Sequence, residues 1–338
     1  MEVHFIDVGQ GDAIFISCEG HYMLIDAGDN SKGSTVRYYM KKLGVSSLDY
    51  VIGTHPDADH IGGLDVVIEN FDVKTILMPD AENDTITYRD VIDAIKWANN
   101  KITLPIVGKE YTLGTMTFTI LSPGKKYSAL NDMSIAVMLK HGSNKFLLTG
   151  DCELESEEDM LNGDIDLSAD VFKLGHHGSR TSNPEAFLKA VSPTDVVISC
   201  GKTNSYGHPH KSVIDTVKEM GLNCYRTDEQ GNLIAISDGN KISWNVEPST
   251  TWMYRVFDPD SGAEDESSEI QGVKSQNDSD SSSKLYDCKY ILNTNSMKFH
   301  VPGCSAVNQM SDNNKVQSDD DKDTLISKGY SPCGICNP

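Results

Sequence analysis

Thr54-His55-Pro56-Asp57-Ala58-Asp59-His60 is a segment in which four potential metal ligands fall within six residues. The apolar run Leu48 to Gly53 before it predicts a buried strand, and Ile61-Gly62-Gly63-Leu64 after it predicts the start of a helix. The ligands are therefore expected on a strand-to-helix loop. A loop anchored at both ends favours a rigid metal site.

The mixture of imidazole and carboxylate indicates which metals suit this segment. Such a set suits zinc, manganese or iron, whereas oxygen ligands alone indicate magnesium or calcium and thiolates indicate a structural zinc. The alternative is a polar loop that caps the next helix, but capping needs one such residue and not four. The segment therefore predicts a metal site.

Two later segments have the same character, namely Leu147-Leu148-Thr149-Gly150-Asp151 and Phe172-Lys173-Leu174-Gly175-His176-His177-Gly178-Ser179. In each, an apolar strand-like run ends in a ligand-type residue beside glycine. A lone Asp after a strand is more often a turn residue. Three such strand ends in one chain favour a shared site at the edge of a sheet.

Six segments of the chain resemble, in content and in order, the motifs of the metallo-β-lactamase fold. They are Phe5 to Ala13, Leu24 to Gly28, Thr54 to Gly63, Leu148 to Asp151, His176 to Ser179 and Tyr206 to His210. Within that family they are similar to the soluble domain of ComEC-type DNA-uptake proteins. The resemblance implies an α/β fold, an αββα sandwich in which helices cover the outer faces of two mixed sheets.

The resemblance also implies two divalent metal ions, zinc or manganese. The implied ligands are His55 and Asp57 for one ion, Asp59 and His60 for the other, Asp151 between both, and His177 and His208 to complete the shells. The common pattern of the family has a histidine where this chain has Asp57. The harder carboxylate ligand favours manganese.

Further residues are expected around these ligands. Asp26 matches a residue that orients the ligand loop in the family, as outer-shell partners of metal ligands commonly do. The third histidine motif of the family has no clear equivalent, and its place is taken by a segment with Asn131 and Ser134, which could bind metal weakly or contact substrate. His176 is a candidate ligand, proton donor or substrate contact.

The implied chemistry is metal-dependent hydrolysis, because two cations activate water and stabilise charge on a phosphodiester. Asp59 could orient the nucleophile, and His208 or His176 could protonate the leaving oxygen. The first hypothesis is a DNA nuclease, with single-stranded DNA among its possible substrates. The second is a phosphodiesterase or phosphorylcholine-esterase-like hydrolase of small or cell-wall phosphoesters, and the third is an inactive sandwich that binds DNA or a partner.

The net charge bears on these hypotheses. It is formally −21, which disfavours nucleic acid because affinity for phosphate backbones comes largely from Lys and Arg. The cations close in sequence to the ligand segments are Lys173, Arg180, Lys202 and Lys211. They are candidates to hold a phosphate, and the alternative is ordinary solvated charge.

Composition predicts three regions in the 338 residues: a hydrolase domain at 1–247, a flexible acidic and Ser-rich linker at 248–285, and a small module at 286–338. No run approaches the roughly 18 apolar residues of a membrane span, and no signal peptide is visible. We therefore expect a free-standing cytoplasmic chain, or a secreted one if the N-terminus has been trimmed. The oligomeric state does not follow from the sequence.

The last region carries a second metal-binding pattern. His300 and Cys304 form one pair, and Cys333 and Cys336 form a Cys-x-x-Cys pair. Four such ligands give a closed tetrahedral set, which is typical of structural zinc. The alternative is a redox disulfide between Cys333 and Cys336. The region resembles the small Ada-like metal-binding modules of some bacterial nucleases, and a module of this size would need metal to fold.

Overall fold

The computed structural model describes residues 1–254, 289–293, 298–301, 307, 315–318, 320–328 and 330–333. The chain divides into two compact units, Met1–Glu264 and Asp265–Pro338. Most of the predicted linker lies outside the described residues, so the predicted boundaries at 247 and 285 stay predictions. No helix within the described ranges is long and apolar enough to cross a membrane.

The first unit alternates strands and helices along the chain. Its strands are β1 (Glu2–Phe5), β2 (Ile14–Cys18), β3 (His21–Ile25), β4 (Ser47–Ile52), β5 (Asp72–Leu77), β6 (Ile102–Thr103), β7 (Glu110–Leu113), β8 (Met116–Ser122), β9 (Ala136–His141), β10 (Asn144–Leu148), β11 (Val171–Lys173), β12 (Asp195–Ile198), β13 (Asn223–Arg226), β14 (Leu233–Ser237) and β15 (Ile242–Trp244). Its helices are α1 (Gly33–Lys42), α2 (Ala58–Ile61), α3 (Leu64–Asn70), α4 (Ile86–Trp97), α5 (Leu154–Leu161), α6 (Glu185–Val191), α7 (Lys211–Glu219) and α8 (Thr227–Gln230). Short 3-10 turns occur at Asn131–Met133 and Gly175–Gly178.

These strands form two sheets. The first has the order β15-β14-β1-β2-β3-β4-β5-β6, and the second has the order β13-β12-β11-β10-β9-β8-β7. Strands β3 to β6 run parallel in the first sheet, and strands β10 to β13 run parallel in the second. Parallel strands end at the same edge of a sheet, so each sheet offers one edge where several strand-to-helix loops meet.

The core lies in three layers, which follow from the period of two along each strand. In β2, Ile14 and Ile16 pack between the sheets, whereas Phe15 packs outward among residues of α1, α3 and α4. In β10, Phe146 packs between the sheets, whereas Leu147 packs outward among residues of α5, α6 and α7. Each such buried side chain stabilises the fold by about 1.5–3 kcal/mol. The predicted αββα sandwich is confirmed.

Several elements of the sandwich are not evident from the sequence. Helix α5 contains four acidic residues and buries only Ser156, Glu157 and Met160, so its apolar period is weak. Strands β7 and β13 have four residues each, which is too short for a clear alternation. Tertiary packing, rather than local pattern, determines these elements.

The second unit contains a small sheet with the order β18-β16-β17-β19. Its elements are β16 (Tyr290–Asn293), β17 (Lys298–His300), β18 (Lys315–Ser318), α9 (Lys322–Ser327) and β19 (Ser331–Pro332). Leu292, Phe299 and Leu325 form a small apolar cluster. A cluster of this size supplies little stability of its own.

Candidate metal centre

The predicted site residues lie on loops that follow parallel strands of both sheets. In chain order these are Asp26 after β3, His55 to His60 after β4, Asp151 after β10, His176 and His177 after β11, and His208 in the loop between β12 and α7. The rigid strands fix where each loop starts. Segments that are far apart in sequence therefore converge at one edge of the sandwich.

Four buried residues form the tightest cluster, with one ligand atom from each of Asp12, His60, Asp151 and His177 within 4.8 Å of the others. The His60 Nε2 atom lies 3.2 Å from Asp151 Oδ1 and 3.2 Å from His177 Nε2. The His177 Nε2 atom also lies 3.4 Å from Asp151 Oδ2 and 3.3 Å from Asp59 Oδ2. Two imidazoles and two carboxylates thus face one small volume.

The other ring nitrogens of these histidines determine their tautomers. The His60 Nδ1–H donates to Asp26 Oδ2 at 2.8 Å, and the His177 Nδ1–H donates to the Ser199 carbonyl oxygen at 2.9 Å. In the neutral imidazoles both Nε2 lone pairs then point at each other. Such lone pairs repel unless a cation lies between them, and a histidine with its distal N–H held by a carboxylate or carbonyl is typical of a metal ligand. The arrangement fits a metal ion.

His55 is oriented as His60 and His177 are, with its Nδ1 atom in a hydrogen bond and its Nε2 atom left for a metal. Its Nδ1 lies 3.1 Å from the Thr54 hydroxyl, which itself donates to Asp26 Oδ2 at 2.7 Å, and 3.3 Å from the Ser134 hydroxyl. The Thr54 oxygen can therefore accept the His55 Nδ1–H. The Nε2 atom of His55 is buried and has no hydrogen-bond partner among the described residues. Burial, with the charge of His60 second, lowers the pKa of His55 to about 3, so its Nε2 lone pair is available to a metal.

The electrostatics of the cluster favour a cation. Burial alone would lower the pKa of His60, but the carboxylates of Asp151 and Asp26 outweigh it and raise that pKa well above its usual range. Burial would raise the pKa of Asp151, but the charges of His177 and His60 hold it well below its usual range. The carboxylates of the centre therefore attract positive charge strongly.

Asp12 was not assigned a role from the sequence, although it lies in the first motif. Its Oδ2 atom pairs with Lys173 Nζ at 2.6 Å, and both side chains are fully buried. Its Oδ1 atom lies 3.4 Å from His177 Nδ1. The prediction that Lys173 holds a phosphate is wrong, because this side chain is inaccessible to substrate. Gly11 has φ +125°, and a Cβ there would lie 2.1 Å from the Asp59 carbonyl oxygen, so only glycine lets this loop approach the ligand loop.

Three site residues have left-handed backbone conformations. Asp26 has φ 57°, His176 has φ 49° and His177 has φ 56°. For residues other than glycine such conformations cost about 1–3 kcal/mol each and cluster at functional sites. Hydrogen bonds hold the His176 turn, because His176 N–H donates to the Gly150 carbonyl and Ser179 N–H to the His176 carbonyl.

The outer side of the centre contains Asp57 and His176, which are partly exposed. Asp57 Oδ2 lies 3.7 Å from His55 Nε2. The His176 Nδ1–H donates to Glu153 Oε1 at 3.0 Å, and the Asn131 side-chain amide donates to the same oxygen at 3.2 Å. The hydrogen bond from His176 contributes most to lowering the pKa of Glu153. Sequence reasoning missed Glu153, whose only signal is its place two residues after Asp151.

His208 has the opposite orientation to His60. Gln10 Oε1 accepts the Gly201 N–H at 3.3 Å, so the Gln10 amide nitrogen faces His208 Nδ1, at 3.5 Å. In the neutral ring Nδ1 then accepts and Nε2 carries the proton. Burial first, and then the charges of His177 and His176, lower the pKa of His208 to about 3. This contact favours His208 as a hydrogen-bond donor toward the site, and the metal-ligand role of His208 stays a prediction.

A small pocket lies over the centre. It has a volume of about 90 Å³, and its lining includes Asp57, Asp59, Asp151, His176, His177 and His208. Pockets that enclose a small-molecule ligand are typically about 300–1,000 Å³. This one has room for only part of a substrate, so the rest must lie outside it.

In the second unit the structure describes two of the four predicted zinc ligands, His300 and Cys333. His300 ends β17 and Cys333 follows β19. The two strands pair in parallel with Phe299 opposite Pro332, so His300 and Cys333 are the next two residues to lie opposite each other. Both side chains are buried, and neither ring nitrogen of His300 has a hydrogen-bond partner within the described part of the chain. Cys304 and Cys336 lie outside the described residues. Cys18, Cys152, Cys200 and Cys224 of the first unit are buried free thiols.

Comparison with known proteins identifies the family. The family model of the metallo-beta-lactamase superfamily matches residues 6–202. ComE operon protein 3 of Bacillus subtilis (strain 168) is 30% identical over 251 residues, which cover 69% of this chain and 32% of that protein. Recombination protein 2 of Haemophilus influenzae is 31% identical over 222 residues, which cover 63% of this chain and 26% of that protein.

A third relative is Competence protein ComA of Neisseria gonorrhoeae, which is 28% identical over 232 residues, covering 67% of this chain and 31% of that protein. The matched region thus spans about a third or less of the length of these relatives. The two-sheet sandwich, the buried Asp/His cluster and these matches show that the chain belongs to the metallo-beta-lactamase superfamily, in its ComEC-type branch.

Proposed function

We propose that this protein is a metal-dependent hydrolase of phosphodiester bonds and that its substrate is DNA. The observation that carries the proposal is the convergence of three buried imidazoles, His55, His60 and His177, whose Nδ1–H groups are all committed elsewhere. Their Nε2 lone pairs therefore remain for metal. The resemblance to competence and recombination proteins supports DNA as the substrate.

Two divalent cations, manganese or zinc, would be held by the predicted ligands with one refinement. The refined set is His55, Asp57, Asp59, His60, Asp151 and His177. His208 is left out because its Nε2 carries a proton in the neutral ring. Asp12 adjoins the set, but its pairing with Lys173 makes it a support for His177 rather than a ligand.

The chemistry that bound divalent cations supply at such a site is activation of water and stabilisation of charge on the phosphoryl group. Burial alone would raise the pKa of Asp59, but contact with His177 and the charge of His60 outweigh burial and hold that pKa well below its usual range, so Asp59 stays ionised. It can therefore orient the nucleophile. His208 donates its Nε2–H to a phosphoryl oxygen, and His176, held through Nδ1 by Glu153, protonates the leaving oxygen.

Hydrolysis of small phosphoesters is the main alternative, and an inactive DNA- or partner-binding sandwich is the other. A pocket of about 90 Å³ is narrow, but Gln10 also borders an adjoining groove of about 450 Å³. This open groove favours a longer substrate over a small one. The buried Nε2 of His55, which has no hydrogen bond within the described ranges, disfavours a centre that has lost its metal.

The test is cleavage of labelled single- and double-stranded DNA in manganese or zinc. We expect wild type to cleave DNA and Asp151→Ala to lose all cleavage, whereas Asp93→Ala, which removes an exposed carboxylate on α4, keeps it. Wild type that binds two ions and cleaves no DNA would contradict the nuclease proposal. Activity on bis(p-nitrophenyl) phosphate alone would then favour small phosphoesters.

We also propose that the second unit holds a structural zinc through His300, Cys304, Cys333 and Cys336. The support is the opposite placement of His300 and Cys333 and the buried ring of His300, which has no hydrogen-bond partner among the residues that the structure describes. We expect Cys333→Ser to lose one zinc per chain and to keep DNA cleavage. An unchanged zinc content, together with a Cys333–Cys336 disulfide in peptide mapping, would support the redox alternative.

A further inference from the structure

A groove adjoins the pocket over the metal centre. It has a volume of about 450 Å³ and is bordered by Gly9, Gln10, Lys32, Lys202 and Asn204 among others. Gln10 borders the pocket as well, so the two spaces are adjacent. A substrate that enters the pocket and passes over Gln10 can therefore reach the groove.

The groove presents positive charge on an otherwise acidic protein. Lys32 and Lys202 form no ion pair with any other described residue, and the Lys32 ammonium lies about 4.0 Å from where a Cβ of Gly9 would be. Two carboxylates also border the groove: Asp228 has both oxygens bound by Arg226, whereas Asp7 is exposed and accepts the Gly9 N–H. A ligand in the groove would therefore meet two lysines and one carboxylate.

An exposed aromatic ring also borders the pocket. Tyr206 is 60% exposed, and its ring stacks on His208 with a centroid distance of 5.7 Å and an interplanar angle of 20°. Asn204 holds this turn, because its Oδ1 atom accepts the Tyr206 N–H at 3.2 Å and the His208 N–H at 2.9 Å. One face of Tyr206 is therefore held against the site while much of the ring remains open.

We propose that this surface binds one extended nucleic-acid strand, with a base stacked on Tyr206 beside the scissile phosphate and a neighbouring phosphate on Lys32 and Lys202. This inference rests on the phosphodiesterase function proposed above and names its substrate as a single strand. Exposed aromatic rings and lysine-bearing grooves are what proteins use to bind single strands. A paired base cannot stack on Tyr206, so duplex DNA fits this surface less well.

The first test separates strand binding from chemistry. Cleavage of an oligothymidylate is compared with cleavage of an abasic oligonucleotide of the same length, which keeps the phosphates and has no base to stack. We expect Tyr206→Ala to raise the KM for the oligothymidylate about 10-fold, as loss of one base–aromatic stack does, and to change the KM for the abasic oligonucleotide much less. Tyr206→Phe keeps the ring and should behave as wild type, as should Tyr38→Ala, which removes an exposed ring on α1.

The second test needs no catalysis. Binding of a labelled oligothymidylate is followed by fluorescence anisotropy in EDTA, at several salt concentrations. We expect Lys32→Ala and Lys202→Ala each to reduce the slope of log K against log salt by about 0.7, the value for one phosphate contact on a single strand. Lys189→Ala, an exposed lysine on α6, is the control.

The outcomes distinguish the two proposals. Wild type that cleaves neither substrate refutes the proposed function, and the binding test then still decides the strand site. Binding that none of the three substitutions weakens overturns the strand site. So does an equal loss of activity by Tyr206→Ala on both substrates, because Tyr206 would then act only through His208.

Discussion

The metal centre has two regions that are built differently, and we call them the floor and the rim. The floor consists of Asp26, His55, His60, Asp151 and His177, and the rim consists of Glu153, His176, Tyr206 and His208. The floor is fully enclosed, and its histidines give their Nδ1–H groups to a carboxylate, a hydroxyl and a backbone carbonyl. At the rim, Glu153 at the start of α5 accepts a hydrogen bond from His176, and Gln10 in a loop contacts His208.

The difference indicates how the two tasks are divided. Enclosed imidazoles with fixed tautomers present lone pairs to a cation, which is the requirement for metal binding. At the rim, His208 presents an N–H and His176 is linked to a carboxylate, which suits hydrogen bonding and proton transfer. Substitutions in the floor should therefore change metal content, whereas substitutions at the rim should change rate or substrate affinity.

The largest contrast is expected between His60→Ala and His208→Ala. Loss of His60 removes a ligand from the centre of the cluster, so bound metal and DNA cleavage should both be lost. Loss of His208 removes one donor to the phosphoryl group, so cleavage should fall about 10²–10³-fold with metal content unchanged. Metal analysis and single-turnover cleavage measure both effects, and His21→Ala, an exposed histidine outside the site, is the control. Loss of metal in His208→Ala would remove the distinction between floor and rim.

The next effect concerns the buried pair beneath the floor. Lys173→Met leaves the Asp12 carboxylate buried without its cation, which should reduce the free energy of unfolding of metal-free protein by about 3–5 kcal/mol. Replacing both residues, in Lys173→Met with Asp12→Leu, should restore most of that loss. Urea denaturation measures both. The exposed pair of Lys189 and Glu185 is the control, and its removal should leave the unfolding midpoint nearly unchanged.

A smaller effect is expected at Asp26, which acts through other floor residues. Its two oxygens accept three hydrogens, from the Thr54 N–H, the Thr54 hydroxyl and His60 Nδ1. Asp26→Asn leaves one acceptor oxygen for these three donors, so metal affinity should fall by up to about 100-fold. Asp49→Asn is a matched control, because Asp49 accepts from His21 far from the site. Titration with manganese followed by calorimetry gives the affinities, and equal affinities would show that Asp26 does not orient His60.

The floor could be predicted largely from the sequence, whereas in the rim only His176 and His208 could be. Strand ends followed by ligand-type residues predicted Asp151, His177 and the segment from His55 to His60, because buried parallel strands have a strong local pattern. Asp12 lies between two strands of a hairpin and had no such pattern. Its pairing with Lys173, at the end of a strand in the other sheet, depends on how the two sheets pack.

Glu153 and Tyr206 also could not be predicted from local sequence pattern. Glu153 lies at the start of α5, whose sequence has a weak apolar period, so neither the helix nor its contact with His176 was evident. Tyr206 lies in a loop whose sequence has no apolar periodicity. Its role depends on the stack with His208 and on the turn held by Asn204. Contacts made by single polar residues on loops carry little local signal, whereas apolar strands carry much.

The smallest effect is expected at the rim carboxylate. Oε1 of Glu153 accepts from His176, from the Thr181 hydroxyl at 2.8 Å and from Asn131. Glu153→Gln keeps an acceptor oxygen for these contacts and removes only the charge that stabilises a protonated His176. We expect cleavage to fall about 10-fold, at the lower end of the range for such supporting residues, with metal content unchanged.

Glu155→Gln removes a neighbouring exposed carboxylate of α5 that pairs with Lys125, and it should leave the rate unchanged. Glu153→Ala, which also removes the acceptor, should be slower than Glu153→Gln. If both Glu153 variants instead lost metal, His176 would bind metal and belong to the floor. If neither changed the rate, His176 would not transfer the proton, and His208 would be the remaining candidate.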